Sequence, residues 1–234
     1  MRRTRSPSAS RISKPRAAPR GASRRSIAFE RVSVETRWLG RISYPDALAI
    51  QENLVAQKIA DPAAPDTLLL LEHEPVYTIG RTPDQSSLRD IAQLPHPLVQ
   101  TNRGGQATFH GPGQLIGYPI LDLRPRGQDL HCYLRALEQL LIDLAATLGV
   151  TAGRRAGLTG VWAGSRKLAS LGVGVRRWIT MHGFALNVSG SLDGFAHITP
   201  CGLAEVEMTT LEQESGQHLT VKTIAEMVRS QFAI

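Results

Sequence analysis

A cysteine between a proline and a glycine, in Pro200-Cys201-Gly202, is the strongest candidate for a chemically active residue in this sequence. Proline and glycine favour a turn, so they tend to present the sulfur at the end of an element rather than inside one. A thiol becomes nucleophilic when it ionises, and a neighbouring ammonium or amine base favours the thiolate at neutral pH. Lys167 can supply either group. The pair predicts nucleophilic catalysis by Cys201, and the alternative is an inert, buried cysteine.

The second cysteine, Cys132, is predicted to lie in the first turn of a helix that begins after Asp129. At that position the helix dipole lowers the pKa of a thiol. No turn residues flank Cys132, however, so we interpret it as an ordinary packing residue of the helix. The two cysteines form neither a metal-binding pattern nor a disulfide framework, and they suit a reducing compartment.

A segment dense in glycine and proline, residues 103–114, runs directly into the apolar stretch 115–123. Glycines at this density let the backbone approach a ligand closely and direct its N–H groups inward. The segment also contains Arg, Gln, Thr and His, which a simple surface loop rarely needs. It predicts a binding loop, but one without the glycine spacing of dinucleotide sites or the Gly-Lys-Ser/Thr ending of phosphate loops.

The elements that position these residues alternate between strands and helices. The sequence predicts a helix over 45–60 with proline in its first turn, one from Leu130 with Asp129 as N-cap and Gly149 as its stop, and one over 220–232. The predicted strands are 32–39, 67–71, 115–123, 167–176 and 178–188.

The net charge of +7 is concentrated at the start of the chain. Nine of the 27 basic residues and none of the 20 acidic ones lie in residues 1–25, which leaves the remainder nearly neutral. We therefore expect residues 1–28 to be a disordered tail, residues 29–234 to be one globular domain, and neither nucleic acid nor a membrane to be a partner. The tail has the Arg/Ser-rich, acid-poor character of an organellar transit peptide, but a solvated bacterial extension or a misassigned start codon is favoured over that interpretation.

Five segments of the chain carry a family resemblance. They are residues 73–81, residues 103–114, Gly160-Val161-Trp162 leading to Lys167-Leu168-Ala169, residues 182–188 and Pro200-Cys201-Gly202. In these motifs and their order the chain resembles the lipoyl(octanoyl) transferases, whose relatives are the lipoate and biotin protein ligases. The resemblance covers nearly all of the chain except its first thirty residues, and it implies the α+β catalytic fold of those ligases, a single domain with a mixed sheet flanked by helices.

The resemblance also implies an activity: transfer of an octanoyl group from octanoyl-acyl carrier protein to a lysine of lipoyl domains, in lipoate biosynthesis. The implied acceptors are the lipoyl domains of 2-oxoacid dehydrogenases and the glycine-cleavage H protein. Cys201 would hold the octanoyl group as a thioester, while Lys167 would stabilise the thiolate and relay a proton. No cofactor is expected, because thioester exchange is nearly balanced in energy and amide formation is downhill without ATP.

By the same resemblance, fourteen residues would line the acyl site. They are Arg103, Gly104, Gly105, Gln106, Ala107, Thr108, Phe109, His110, Ser170, Leu171, Gly172, Gly183, Phe184 and Ala185. Phe109, Leu171 and Phe184 are expected to supply apolar walls, and the small residues to leave room for an alkyl chain. Without the resemblance, the simpler interpretation of the six residues from Ser170 to Ala185 in this list is that they are core residues of strands. Two sets of backbone N–H groups are candidates for stabilising the oxyanion, those around Cys201 and those of the 103–110 loop.

Three histidines, His73, His110 and His182, fall within the matched segments. No two of them have the i, i+4 spacing of a helical metal site, and no cluster of carboxylates accompanies them, so no metal is expected. An ATP-dependent ligase is the nearest alternative function, but it would need no cysteine nucleophile. A transferase that uses another octanoyl donor, such as octanoylated H protein, stays open. We expect a cytoplasmic protein, or one of the mitochondrial matrix if the tail is a transit peptide.

Overall fold

The computed structural model describes residues 34–84, 86–199 and 206–234. The predicted tail, residues 1–28, lies outside this part of the chain, and so do Pro200, Cys201 and Gly202. The described residues form an α+β fold with two sheets and four α-helices. None of these helices is long and apolar enough to cross a lipid bilayer.

The strands and helices follow one another along the described residues in this order. They are β1 (Val34–Ile42), α1 (Tyr44–Ala60), β2 (Asp66–His73), β3 (Val76–Ile79), β4 (Leu98–Gln100), β5 (Thr108–His110), β6 (Gln114–Ile120), α2 (Leu130–Thr147), β7 (Gly153–Arg155), β8 (Leu158–Ala163), β9 (Arg166–Arg176), β10 (Ile179–Asn187), α3 (Leu211–Ser215) and α4 (Val221–Gln231).

The larger sheet has seven strands in the order β1-β2-β6-β10-β9-β8-β7. It is mixed, because β1 and β2 run parallel while the other neighbours are antiparallel. A second sheet pairs β3 with β4 and β5. This small sheet was not predicted, and β5 replaces part of the loop expected over residues 103–114.

The two faces of the larger sheet pack against different helices. Since side chains alternate along a strand, neighbouring residues of β2 and β6 enter different cores. Leu69, Leu71 and Ile116 pack with α1 through Ala47. On the opposite face, α2 and α4 pack over the main core, which includes Leu68, Leu70, Leu115, Leu137, Leu141, Ile224 and Val228.

Local signals in the sequence place the helix ends correctly. Ser43 caps α1 by accepting a hydrogen bond from the Asp46 backbone, and the helix ends at the predicted position before Asp61. Asp129 caps α2 as predicted, and Gly149, with φ of 77°, follows the last turn. The prediction that a strand begins at Trp178 is wrong, because Trp178 has φ of 66° and forms the turn before β10.

Candidate active site

A pocket that is partly open to solvent lies between the 103–110 segment, the start of α1 and the middle of β9 and β10. Its wall contains Tyr44, Arg103, Gly105, Gln106, Ala107, Thr108, His110, Tyr118, Ser170, Leu171, Gly172, His182, Gly183, Phe184 and Ala185. The structure therefore brings together the three separate sequence segments that were expected to form one acyl site.

Two of the fourteen expected site residues do not line this pocket, Gly104 and Phe109. Gly104 lies directly behind the wall: its N–H donates to the Val173 carbonyl at 2.9 Å. A Cβ at Gly172 would come within 2.9 Å of the Gly104 carbonyl oxygen. The 103–105 segment thus lies flat against β9, and a side chain at Gly172 would push it away.

The three expected apolar wall residues have different places in the structure. Phe109 packs with Tyr77 and Phe195 in a separate cluster and does not line this pocket. Leu171 and Phe184 do line the pocket, but both also pack against the main core. The Phe184 ring lies over Gly117, where a Cβ would be 2.1 Å from it. Small residues therefore form much of the rest of the wall on β9 and β10.

Gly80 explains how the binding loop is held close to the second sheet. A Cβ at this position would lie 2.1 Å from the Gly105 carbonyl oxygen and 2.8 Å from that of Arg103. The loop therefore packs directly on the backbone at the end of β3. The Arg81 N–H donates to the Arg103 carbonyl at 3.0 Å and fixes the same contact.

A chain of buried hydrogen bonds connects this loop to the middle of the sheet. The Thr209 carbonyl accepts from Asn187 Nδ2 at 3.0 Å, so Asn187 Oδ1 must be the acceptor for Gln114 Nε2 at 2.9 Å. Gln114 Oε1 then accepts from His110 Nδ1 at 2.7 Å. Because the Thr209 carbonyl can only accept, it sets the direction of each hydrogen bond in this chain. The proton of the neutral His110 ring therefore lies on Nδ1.

The contacts of the other ring nitrogen of His110, Nε2, agree with a proton on Nδ1. His110 Nε2 lies 3.2 Å from Thr78 Oγ1, which also accepts from Arg103 Nη2 at 2.8 Å. Since Arg103 only donates, the Thr78 hydroxyl is left to donate to Nε2. Burial, reinforced by the neighbouring His73, lowers the pKa of His110 to about 3. His110 is therefore a neutral, orienting group of the loop.

Tyr44, Tyr118 and His182 line the pocket although they were not predicted to do so. The Tyr118 hydroxyl lies 2.7 Å from His73 Nε2, and that of Tyr44 lies 3.5 Å from His182 Nδ1. Burial lowers the pKa values of His73 and His182 to about 4 and raises the pKa of Tyr44 to about 12. These groups are uncharged at neutral pH, so they give the pocket a polar but neutral region.

His182 stands in a strained backbone conformation, with φ of 56° inside β10. Its N–H donates to Gln51 Oε1 at 2.8 Å, and Nε2 is bonded to Asn102 Oδ1. A non-glycine residue with positive φ inside a strand persists only where the surroundings enforce it, and such residues cluster at functional sites. Its place in a matched segment was the one signal in the sequence for its role. Among the described residues, no group of three or more His, Cys, Asp or Glu is placed to hold a metal ion.

Lys167 projects from the pocket face of the sheet because of an irregularity in β9. Val161 pairs with Ala169, whereas the next residue of β8, Trp162, pairs with Lys167, so β9 has one residue more than β8 at this point. Such a bulge reverses the alternation of side chains beyond it. Leu168 and Ala169 both face the main core, and the Lys167 stem lies on the other side, over Gly160.

The backbone of Lys167 is joined to the chain that follows the Cys201 segment. The Lys167 N–H donates to the Glu207 carbonyl at 2.8 Å, and the Thr209 N–H donates to the Lys167 carbonyl at 3.0 Å. On the other side of that segment, the Thr199 N–H donates to the Ser87 carbonyl at 2.8 Å. Ser87 Oγ in turn accepts from the Ala107 N–H of the pocket loop at 3.0 Å.

Cys132 is not the packing residue that the sequence suggested, because it is exposed in the first turn of α2. Its environment does not activate it either. The hydrogen bond and negative charge of Asp129, the N-cap of the same helix, raise the pKa of the Cys132 thiol. The adjacent carboxylate acts against the effect expected from the helix dipole.

Solved structures with this fold include lipoate protein ligases. A bipartite lipoate protein ligase from Thermoplasma acidophilum superposes with a TM-score of 0.63 and 15% identity, over 86% of this chain and 83% of its own. A lipoate-protein ligase A bound with ATP superposes with a TM-score of 0.62 and 14% identity, over 85% of this chain and 83% of its own. At these identities the likeness establishes the fold alone.

Sequence relatives are closer. An octanoyltransferase from Geobacter sulfurreducens is 55% identical over 195 residues, which are 83% of this chain and 81% of the relative. One from Gloeobacter violaceus is 50% identical over 195 residues, covering 83% of this chain and 86% of the relative. The family of the lipoyl protein ligase A/B catalytic domain matches residues 43–233. The chain therefore belongs to the lipoyl protein ligase A/B catalytic-domain family and, within it, to the octanoyltransferases, which are acyltransferases.

Proposed function

We propose that the protein transfers an octanoyl group from octanoyl-acyl carrier protein to a lysine of a lipoyl domain through a thioester on Cys201. The Cys201 thiolate attacks the carbonyl carbon of the donor thioester, and the donor leaves as a thiol. The amine of the acceptor lysine then attacks the new thioester. An amide forms, the C–S bond breaks, and the Cys201 thiol is regenerated.

The observation that carries this proposal is the attachment of both ends of the Cys201 segment to the site. Thr199, two residues before Cys201, is connected through Ser87 to Ala107 of the pocket loop. Glu207, six residues after it, is bonded to the backbone of Lys167. The described residues on either side of Cys201 are therefore held by the pocket loop on one side and by Lys167 on the other.

We assign two roles to Lys167, stabilisation of the thiolate and acceptance of a proton. It is 1% exposed, and its stem crosses Gly160 on the face that carries the pocket. As an ammonium it stabilises a thiolate, and as an amine it accepts the proton that the incoming lysine must lose. Twelve of the fourteen residues expected at the acyl site form the acyl-binding wall in this proposal, while Gly104 supports the wall from behind and Phe109 lies outside it.

The pocket suits a slender alkyl chain in shape and charge. Ser170 and Ala185 bring only small side chains to the wall, and the histidines near it are neutral. Burying each methylene of an acyl chain contributes about 0.8 kcal/mol, so even a partly enclosed octanoyl chain would be held firmly. The acceptors are the lipoyl domains of 2-oxoacid dehydrogenases and the H protein, the reaction takes place in the cytoplasm, and neither ATP nor a metal takes part.

The decisive experiment is intact mass measurement of the full chain after incubation with octanoyl-acyl carrier protein in the absence of ATP. We expect a gain of one octanoyl group that hydroxylamine removes, followed by loss of the adduct and octanoylation of an added lipoyl domain. A parallel incubation with octanoylated H protein in place of octanoyl-acyl carrier protein shows which of the two is the octanoyl donor. No adduct, with product only when octanoate and ATP are both supplied, would instead establish a ligase.

A further inference from the structure

Trp162 and Gly160, in the Gly160-Val161-Trp162 motif, have no role in the chemistry described above. Trp162 is 2% exposed and pairs with Lys167 across β8 and β9. The Lys167 Nζ atom lies 5.4 Å from the centre of the Trp162 ring. At this distance the negative face of an indole attracts an ammonium group, and the attraction is stronger where water is excluded.

Gly160 fixes the stem of the same lysine. A Cβ at this position would lie 2.8 Å from Lys167 Cε and 2.8 Å from the Ala169 carbonyl oxygen, and the φ of Gly160 is 137°. The Gly160 N–H donates to Glu138 Oε1 at 3.0 Å, which attaches this part of β8 to α2. The absence of a side chain at Gly160 thus opens the space that the Lys167 stem occupies.

The charged groups around this arrangement come from several elements. The Arg155 guanidinium of β7 lies 4.8 Å from the centre of the Trp162 ring. Glu138 of α2 is ion-paired with Arg154 at 2.9 Å, and Arg166 of β9 is paired with Glu214 of α3 at 2.8 Å. Glu138 and Glu214 are each paired with an arginine, and the Trp162 ring is an aromatic contact of the Lys167 ammonium.

We propose that Trp162 is a positioning residue for Lys167: its ring face holds the lysine as an ammonium group directed to the pocket side of the sheet. The bulge in β9 decides the face from which Lys167 projects, Gly160 decides the path of its stem, and Trp162 holds its charged end. This inference rests on the proposed function, because it takes Lys167 as the group that acts on the Cys201 thiol.

The test varies the electron density of the ring face while keeping the shape of the indole. The chain has three tryptophans, so Trp38→Phe and Trp178→Phe leave Trp162 as the single site for fluorinated tryptophan. Cys132→Ala leaves Cys201 as the single thiol. The full chain with mono-, di- and trifluorotryptophan is compared with the unlabelled protein by iodoacetamide alkylation against pH and by single-turnover acylation from octanoyl-acyl carrier protein.

We expect the midpoint of the alkylation profile to move to higher pH with each added fluorine, because fluorine withdraws electron density from the face that attracts the ammonium. Acylation near neutral pH should fall in the same order, by about tenfold in total, with KM for the donor nearly constant. Trp162→Phe should resemble the fluorinated proteins, and Trp162→Leu should approach Lys167→Met. In a double variant that combines Trp162→Leu with Lys167→Met, the two shifts of the alkylation midpoint should not add, because both substitutions remove the same interaction.

Superimposable profiles across the fluorinated series, with Lys167→Met still shifted, would overturn the role of Trp162 and leave the proposed function intact. If Lys167→Met itself had the profile of the unsubstituted protein, the fault would lie in the assignment of Lys167, and this proposal would fall with it. Additive effects in the double variant would show that Trp162 acts by another route. Because fluorination preserves the fold, the outcome does not depend on whether Trp162→Leu is stable.

Discussion

Lys167 and Ser170 project from the same face of β9 although three positions separate them. In a regular strand an odd separation places two side chains on opposite faces. The extra residue of β9 between its pairs with Val161 and Trp162 reverses the alternation, so that Lys167 shares the face of the pocket residue Ser170. A single inserted residue therefore places Lys167 on the pocket face of β9 instead of the face that meets the main core.

The fit of the lysine against Gly160 gives a first prediction. Gly160→Ala should reduce single-turnover acylation roughly 10- to 100-fold, because displacing a catalytic group by about 1 Å has that effect. Gly157→Ala is the matched control, since Gly157 also has positive φ, at 76°, but no atom beyond its chain neighbours lies within 4 Å of the position that the new methyl group would take. Gly157→Ala should lose about 1–2 kcal/mol of unfolding free energy through backbone strain, and Gly160→Ala should lose more, because its methyl group would also clash with the Ala169 carbonyl oxygen. Equal activity of the two variants would contradict the role of the Gly160 contact.

Much of the fold could be predicted because its signals are local. Asp129 and Gly149 mark the ends of α2 by their own side-chain and backbone properties, and α1 is marked by proline and its flanking residues. The small sheet was missed because β4 and β5 have three residues each, which is too short for any periodicity.

The parts of the site that depend on strand register were harder to predict. The segments that line the pocket were identified by family resemblance, but the direction of the Phe184 ring depends on which face of β10 meets the main core. Tyr44 and Tyr118 enter the wall only because α1 and β6 meet there in three dimensions. The bulge at Lys167 has no signature in the sequence, since Leu168 and Ala169 fit a regular strand equally well.

The two cysteines provide a second prediction. Cys201→Ala should abolish the octanoyl mass adduct and lower transfer by about 10³-fold or more, because the thioester has no other sulfur on which to form. Cys132→Ala should leave both nearly unchanged, since Cys132 is exposed and the neighbouring Asp129 disfavours its thiolate. Intact mass and transfer to a lipoyl domain measure the two effects. A dead Cys132→Ala enzyme with an active Cys201→Ala enzyme would reverse the assignment.

The two proposed roles of Lys167 can be separated by substitution. Lys167→Met should slow acylation near neutral pH and recover in part in alkaline buffer, where hydroxide ionises the thiol directly. Lys167→Arg keeps a positive charge but does not deprotonate in this range, so it should acylate better than it transfers to the acceptor lysine. Single-turnover rates of the two half-reactions measure this difference. Equal losses in both half-reactions for Lys167→Arg would argue against proton relay.

The N-terminal residues give a fourth prediction. A chain that begins at Ser26 lacks the nine basic residues of the first 25 and should keep its activity and melt within a few degrees of the full chain. Its isoelectric point should fall, and retention on DNA at low salt should be lost if the full chain shows any. Transfer assays, thermal melts and DNA retention of the two chains check this. A large loss of activity or stability would show that the tail is part of the folded domain.

The buried histidines predict how stability depends on pH. Burial lowers the pKa of His110 from 6.5 to about 3, and the pKa values of His73 and His182 to about 4. The unfolded chain therefore binds more protons than the folded chain as pH falls below about 6.5, and the free energy of unfolding must fall with it. The loss should continue until the folded histidines titrate, at up to about 1.4 kcal/mol per pH unit for each residue. Urea unfolding between about pH 7.5 and about pH 4.5 measures this slope.

A histidine outside the pocket wall isolates the effect. His73 lies behind the wall, bonded to Tyr118 and to the Ile42 carbonyl, so His73→Gln removes one titrating group while glutamine retains hydrogen-bonding capacity. This variant should be less stable at neutral pH but should show a shallower slope by up to one proton. His131 is exposed at the start of α2, so His131→Gln is the matched substitution outside the buried histidines. If unfolding free energy stayed level as the pH fell, these histidines would already be charged in the folded protein, and the neutral, orienting role of His110 would be untenable.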